Sequence, residues 1–161
     1  LASADIPQVR RAASYGSYFG YEFEQPSEDI RDMKDGDIIS VGSIRLKVLA
    51  SPGHTAGGVL LYDEKDGCVF TGDTLFCGSI DTLFAGSVGR TDLPGGDYHS
   101  LMESIHSRLL TLPDDLNVYP GHGPATDIGR EKMTNPFLED IIAKEIDRQQ
   151  AAAQPVQNTE Q

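Results

Sequence analysis

Three short apolar runs in this chain each lead into a glycine-flanked histidine or aspartate. SIRLKVLA runs into SPGHT, CVF into TGD, and NVY into PGHGP, placing His54, Asp73 and His122 just beyond them. Short runs rich in Val, Ile, Phe and Tyr, bounded by Gly and Pro, read as β-strands. Loops at the ends of strands on a rigid sheet are where sites are usually built. Imidazole and carboxylate together form a ligand set for zinc, iron or manganese. Spacing alone leaves two readings open. The three residues converge on a site, or they are unrelated loop residues whose glycines serve turn geometry.

The surrounding elements follow from local chemistry. DGDIISVGSIRLKVLAS predicts a hairpin, with strands 38–41 and 44–50 about a Gly42-Ser43 turn. VLLYDEKDGCVFTGD predicts a second hairpin with DEKDG as its turn. In DYHSLMESIHSRLLTL, residues Leu101, Ile105, Leu109 and Leu112 make one apolar stripe of a helix over 97–112, which Pro113 ends. NVYPGHG is a short strand entering a glycine-rich loop. ATDIGREKM and PFLEDIIAKEIDRQQ are two further helices divided at Asn135-Pro136. At the N-terminus, Asp5 caps a short helix that accepts Pro7 in its first turn and stops at Gly16. Residues 20–36 are polar and turn-rich, and 151–161 read as a disordered tail behind a domain over 1–150. Antiparallel hairpins followed by helix, strand and helix make a mixed α/β chain.

Charge and motif content exclude several functions. The 161 residues carry a net charge of −12, which repels nucleic-acid backbones. No apolar run is long enough to cross a bilayer, so no membrane partner is expected; the cytoplasmic expectation comes from the cysteines. GxGxxG, P-loop and GxSxG motifs are all missing. The two cysteines, Cys68 and Cys77, lack CxxC spacing and read as reduced structural thiols. His99 and His106 share one helix face but stand roughly 10 Å apart along it, too far for one ion. Glu103 and His106 make a single ExxH pair, a weak signal, and both histidines read as surface residues. The first residue is Leu1, so the chain is expected to begin inside a longer gene product or after processing.

SPGHTAGG, FTGDTLF, AGSVGRTDLPGGD and VYPGHGPATDIGREKMTNPFL together resemble the metallo-β-lactamase superfamily, and within it the small glyoxalase II-like hydrolases. The resemblance covers roughly residues 35 to 138. It implies an αββα sandwich, here incomplete at its N-terminal side, because the chain contains no HxHxDH motif. It implies two divalent metal ions, zinc first, with iron or manganese as alternatives. His54 would ligate the first ion, Asp73 would bridge both, and His122 would ligate the second. The implied reaction is hydrolysis, a metal-bound hydroxide attacking the carbonyl of a small-molecule thioester or related ester. Three ligands are few for two ions, so pairing with a missing N-terminal half or with another chain is expected. Two other functions stand beside this one: an inactive fragment with half a metal site, and an iron-dependent sulfur dioxygenase on the same fold.

One departure from the family pattern is a direct repeat. DTLFCGSI at 73–80 is followed at once by DTLFAGSV at 81–88. Asp73 keeps the apolar strand and the glycine before it, whereas Asp81 follows Gly-Ser-Ile. A tight turn before the ligand suits glycine and not Ile80. Asp73 is therefore favoured as the bridging residue. The insert is expected to form a longer loop, at the risk of displacing Arg90 and Asp92.

Overall fold

Each of the two predicted hairpins forms where its turn residues allow it. The computed structural model describes residues 1–18, 20–22, 24–26, 29–75, 88–92, 94–139 and 141–143. Strands β1 (Ile38–Val41) and β2 (Ile44–Ala50) pair antiparallel, with Gly42 at a φ of 62° in the turn between them. L side chains rarely adopt that φ, so glycine suits the corner. Strands β3 (Val59–Asp63) and β4 (Cys68–Gly72) form the second hairpin. Its turn is held by the Asp63 carboxylate, which accepts from the backbone N–H groups of Lys65 and Asp66. Strand β5 (Asn117–Pro120) joins β4 in parallel, and a two-residue strand, β6 (Thr126–Asp127), closes the edge. The order is β1-β2-β3-β4-β5-β6 in one six-stranded sheet.

This topology brings the three glycine-flanked loops together. β2 and β4 are each antiparallel to β3, and β5 is parallel to β4. All three therefore run the same way and end at one edge of the sheet. His54 follows β2, Asp73 follows β4, and His122 follows β5.

Helices cover one face of the sheet. Leu49, Leu60, Val69 and Val118 on the strands pack with Leu101, Ile105, Leu109, Ile128 and Leu138 in a single buried cluster. The helical residues come from α3 (Tyr98–Ser104), its π-helical continuation Ile105–Leu109, α4 (Ile128–Thr134) and the segment after it. Each large aliphatic side chain buried this way contributes about 1.5–3 kcal/mol. On the opposite face, Leu61, Phe70 and Tyr119 stand side by side across β3, β4 and β5. Phe70 and Tyr119 are 43% and 42% exposed, and their rings stack at 5.5 Å. Val48 continues the row on β2 and is fully buried.

The N-terminal segment differs from the expected single helix. It forms a 3-10 turn (Ser3–Asp5) and two short helices, α1 (Ile6–Val9) and α2 (Ala12–Tyr18). Gly16 is buried inside α2 and does not stop it; the positive φ comes later, at Gly20. Asp5 makes no side-chain cap hydrogen bond, because its carboxylate is engaged elsewhere. Most of the predicted 136–150 helix and all of the predicted tail at 151–161 lie outside the described residues.

Candidate metal centre

Asp73 sits between the two histidines. Its Oδ2 lies 3.5 Å from His54 Nε2, and its Oδ1 lies 3.2 Å from His122 Nδ1. Gly72, immediately before it, has a φ of 51°, which turns the chain sharply out of β4. Gly121 lets the carboxylate come close: a Cβ there would stand 2.5 Å from Asp73 Oδ1. The exposure of the three side chains rises from 21% at His54 through 34% at Asp73 to 51% at His122, so the site opens to solvent on the His122 side.

His54 is held in one tautomer. Its Nδ1 is 2.7 Å from the Arg90 carbonyl oxygen. A carbonyl can only accept, so Nδ1 carries a proton, and Nε2 faces Asp73. Arg90 is fixed in turn by a bidentate pair with Asp92, at 2.7 Å for each bond. The Arg90 guanidinium, with a further bond from Asp92's own backbone, pulls the Asp92 carboxyl down to about 2.

The loop carrying His54 is tied down on several sides. The Gly53 carbonyl accepts from the Asp97 N–H, and the Pro52 carbonyl accepts from Ser104 Oγ on α3. The hydroxyls of Ser51 and Thr74 meet at 3.1 Å, joining this loop to the one carrying Asp73. Asp5 accepts from Thr55 Oγ1 and from the Gly57 N–H.

Residues 76–87, where the longer loop is expected, lie outside the described residues, but the segments on either side of them meet. Leu75 and Val88 pair as an isolated antiparallel bridge, and the Gly89 N–H donates to the Thr74 carbonyl. Beyond them the Arg90 carbonyl reaches His54. Asp81 lies outside the described residues.

The donor set and its spacing are compatible with metal ions. Charge-assisted N–H···O bonds run at about 2.7–2.9 Å, shorter than either separation here. Two ligands of one tetrahedral ion, each at about 2.1 Å, stand about 3.4 Å apart. The observed 3.5 and 3.2 Å bracket that span. The three side chains form two pairs sharing one carboxylate; among the described residues no three His, Cys, Asp or Glu side chains group around one ion. Glu103 and His106 join no such group either. His99 is exposed, and His106 is half-buried. Among the described residues no helix is long and apolar enough to cross a membrane.

A mixed sheet with helices on one face carries His54, Asp73 and His122 together at the edge where three strands end. The chain belongs to the metallo-beta-lactamase superfamily, which it matches over residues 3–122. It is similar to an uncharacterized protein of Aquifex aeolicus (strain VF5), 40% identical over 130 residues, covering 81% of this chain and 57% of that protein. It is also similar to the hydroxyacylglutathione hydrolase GloC of Haemophilus influenzae, 41% identical over 105 residues, covering 65% of this chain and 46% of that protein. Among solved structures it resembles TTHA1623 in a di-iron-bound form, with a TM-score of 0.72 at 39% identity, covering 86% of this chain and 63% of that one. The chain thus spans about half the length of the relatives it matches.

Sequence reasoning picked out His54, Asp73 and His122, and the structure brings all three together. It missed Asp5 and the Arg90 carbonyl as supports of His54. Asp5 carried a signal, an acidic residue before Ile-Pro, but that signal reads as a helix cap. A backbone carbonyl leaves no mark in a sequence.

Proposed function

We propose that the chain carries the metal-binding half of a glyoxalase II-like hydrolase acting on a thioester or related ester carbonyl. The observation that carries this reading is the placement of Asp73, one carboxylate oxygen toward each histidine. His54 and Asp73 would hold one divalent ion, and Asp73 and His122 the other, zinc first, with iron or manganese as alternatives. Such ions supply Lewis-acid activation, lowering the pKa of water and polarising a carbonyl. The protein's own groups do the positioning. Arg90 fixes the His54 tautomer, Gly72 aims Asp73, and Gly121 leaves room for its carboxylate. The exposed His122 side is where a small substrate enters. The similarity to GloC supports a thioester substrate.

Two protein ligands per ion are fewer than the three that zinc catalysis generally uses. The remaining ligands would come from a second polypeptide segment, the part of the fold that relatives have beyond the matched region. The partly exposed Phe70–Tyr119 pair, beside half-buried Leu61, is the face on which it would seat. The test is hydrolysis of a glutathione thioester by the 161-residue chain, with and without that segment and added Zn²⁺. Turnover that needs both the metal and His54 supports the reading. Metal-independent turnover, or none in either form, sinks it. Oxygen uptake on a persulfide substrate would favour the dioxygenase instead.

A further inference from the structure

We propose that Asp5 is a positioning residue for the metal centre, acting through the loop that carries His54. The inference rests on the metal reading above for its function, but its geometry stands by itself. Asp5 lies at the end of the 3-10 turn that opens the chain, about fifty residues from the loop it touches. Its Oδ2 accepts from Thr55 Oγ1 at 2.6 Å, and its Oδ1 accepts from the Gly57 N–H at 2.8 Å. The two bonds flank the residue after His54 and the glycine two beyond it. Gly57 is needed for this approach, since a Cβ there would stand 2.7 Å from the Asp5 carboxyl carbon. The next turn of the same arm reaches the other wall of the site. Gln8 Nε2 donates to the Pro94 carbonyl, in the stretch that also carries Arg90. One N-terminal arm therefore clasps both segments that meet at His54: the loop holding its backbone and the loop holding its Nδ1 proton. Hydrogen bonds to a carboxylate are the strong kind, and both Asp5 oxygens are used. Groups behind a metal ligand commonly set its orientation and its affinity.

The experiment compares wild type, Asp5→Ala and Asp5→Asn in the full 161-residue chain. Three quantities are read: the tautomer of the His54 ring from its ¹⁵N shifts, the exchange rate of the Gly57 amide, and the affinity for Co²⁺ alone. Urea unfolding is recorded alongside. In wild type, His54 should be one tautomer protonated at Nδ1. Asp5→Ala should mix the tautomers, speed Gly57 exchange and weaken Co²⁺ binding by about tenfold. Asn can still accept from the Gly57 N–H and donate to Thr55 Oγ1, so Asp5→Asn should recover most of each effect. A variant that loses stability in urea while keeping wild-type tautomer and Gly57 exchange would overturn the proposal, leaving Asp5 a fold contact only. If wild type binds no Co²⁺, the metal reading fails, and the tautomer and exchange data still decide whether Asp5 positions His54.

Discussion

At the scale of single residues, the site depends on which aspartate stands at the end of β4. Asp73 follows a glycine with a φ of 51°. Asp81 follows Ile80, and a β-branched residue resists that conformation. Asp73→Ala should abolish metal retention, beyond the roughly 10- to 100-fold cost of losing an outer partner. Asp81→Ala should leave retention near wild type. Metal content per chain after mild chelation decides between them, and an equal or larger loss for Asp81 would reverse the assignment. Gly121→Ala should also impair binding, because its Cβ would stand 2.5 Å from Asp73 Oδ1. The same measurement checks it, with Gly123→Ala, whose Cβ meets open space, as a strained-glycine control. The Arg90–Asp92 pair adds a pH prediction. The folded Asp92 carboxyl titrates near 2, below its unfolded value of about 3.9. Its contribution is therefore present above pH 4 and is lost as pH falls toward 2. Carboxyl ¹³C shifts should show a midpoint near 2, and Arg90→Gln should return it toward the usual carboxylate range.

At the scale of elements, the strands were legible and the helices less so. Strands 38–41 and 44–50 were expected and form over those residues, because Gly42 punctuates two β-branched runs. The stripe Leu101–Ile105–Leu109 was legible too, and all three residues are fully buried. Its spacing of four overshoots a 3.6-residue turn by about 40° at each step. The structure absorbs that drift in the π-helical stretch Ile105–Leu109, where the Leu110 N–H reaches back to the Ile105 carbonyl. Nothing in the residue types marks that change of winding. Strand β6 went unread because two residues carry no periodicity, and Asp5 was misread because a cap and a tertiary acceptor look alike in a sequence. Asp127, by contrast, caps α4 directly, accepting from the Arg130 N–H at 2.7 Å. Asp127→Ala should cost about 1 kcal/mol, read as a lower urea midpoint with an unchanged slope.

At the scale of the whole molecule, one face of the sheet is packed against helices, while the other buries Val48 and leaves Phe70 and Tyr119 partly exposed. Neighbouring residues in a strand point to opposite faces. Val69 and Val118 lie in the helix-covered core, and so Phe70 and Tyr119 must point away from it. An apolar row of this kind on a chain of net charge −12 is unusual unless something seats on it. A segment docked there would lie on the strands whose ends carry Asp73 and His122, and so could reach ions held between them. The double substitution Phe70→Lys, Tyr119→Lys separates this role from folding. Both side chains are partly exposed, so unfolding free energy should fall by only about 1–2 kcal/mol, including the lost ring stacking, and the chain should stay folded. The effect should appear when the chain is co-expressed with the N-terminal segment of its Aquifex aeolicus relative. Wild type should then purify with that segment and approach two metal ions per chain. The Lys variant should purify alone and carry clearly less metal per chain than wild type. A variant that loads metal as fully as wild type would place the missing ligands somewhere other than this face. A wild type that gains the segment but no metal would count against the His54–Asp73–His122 centre itself.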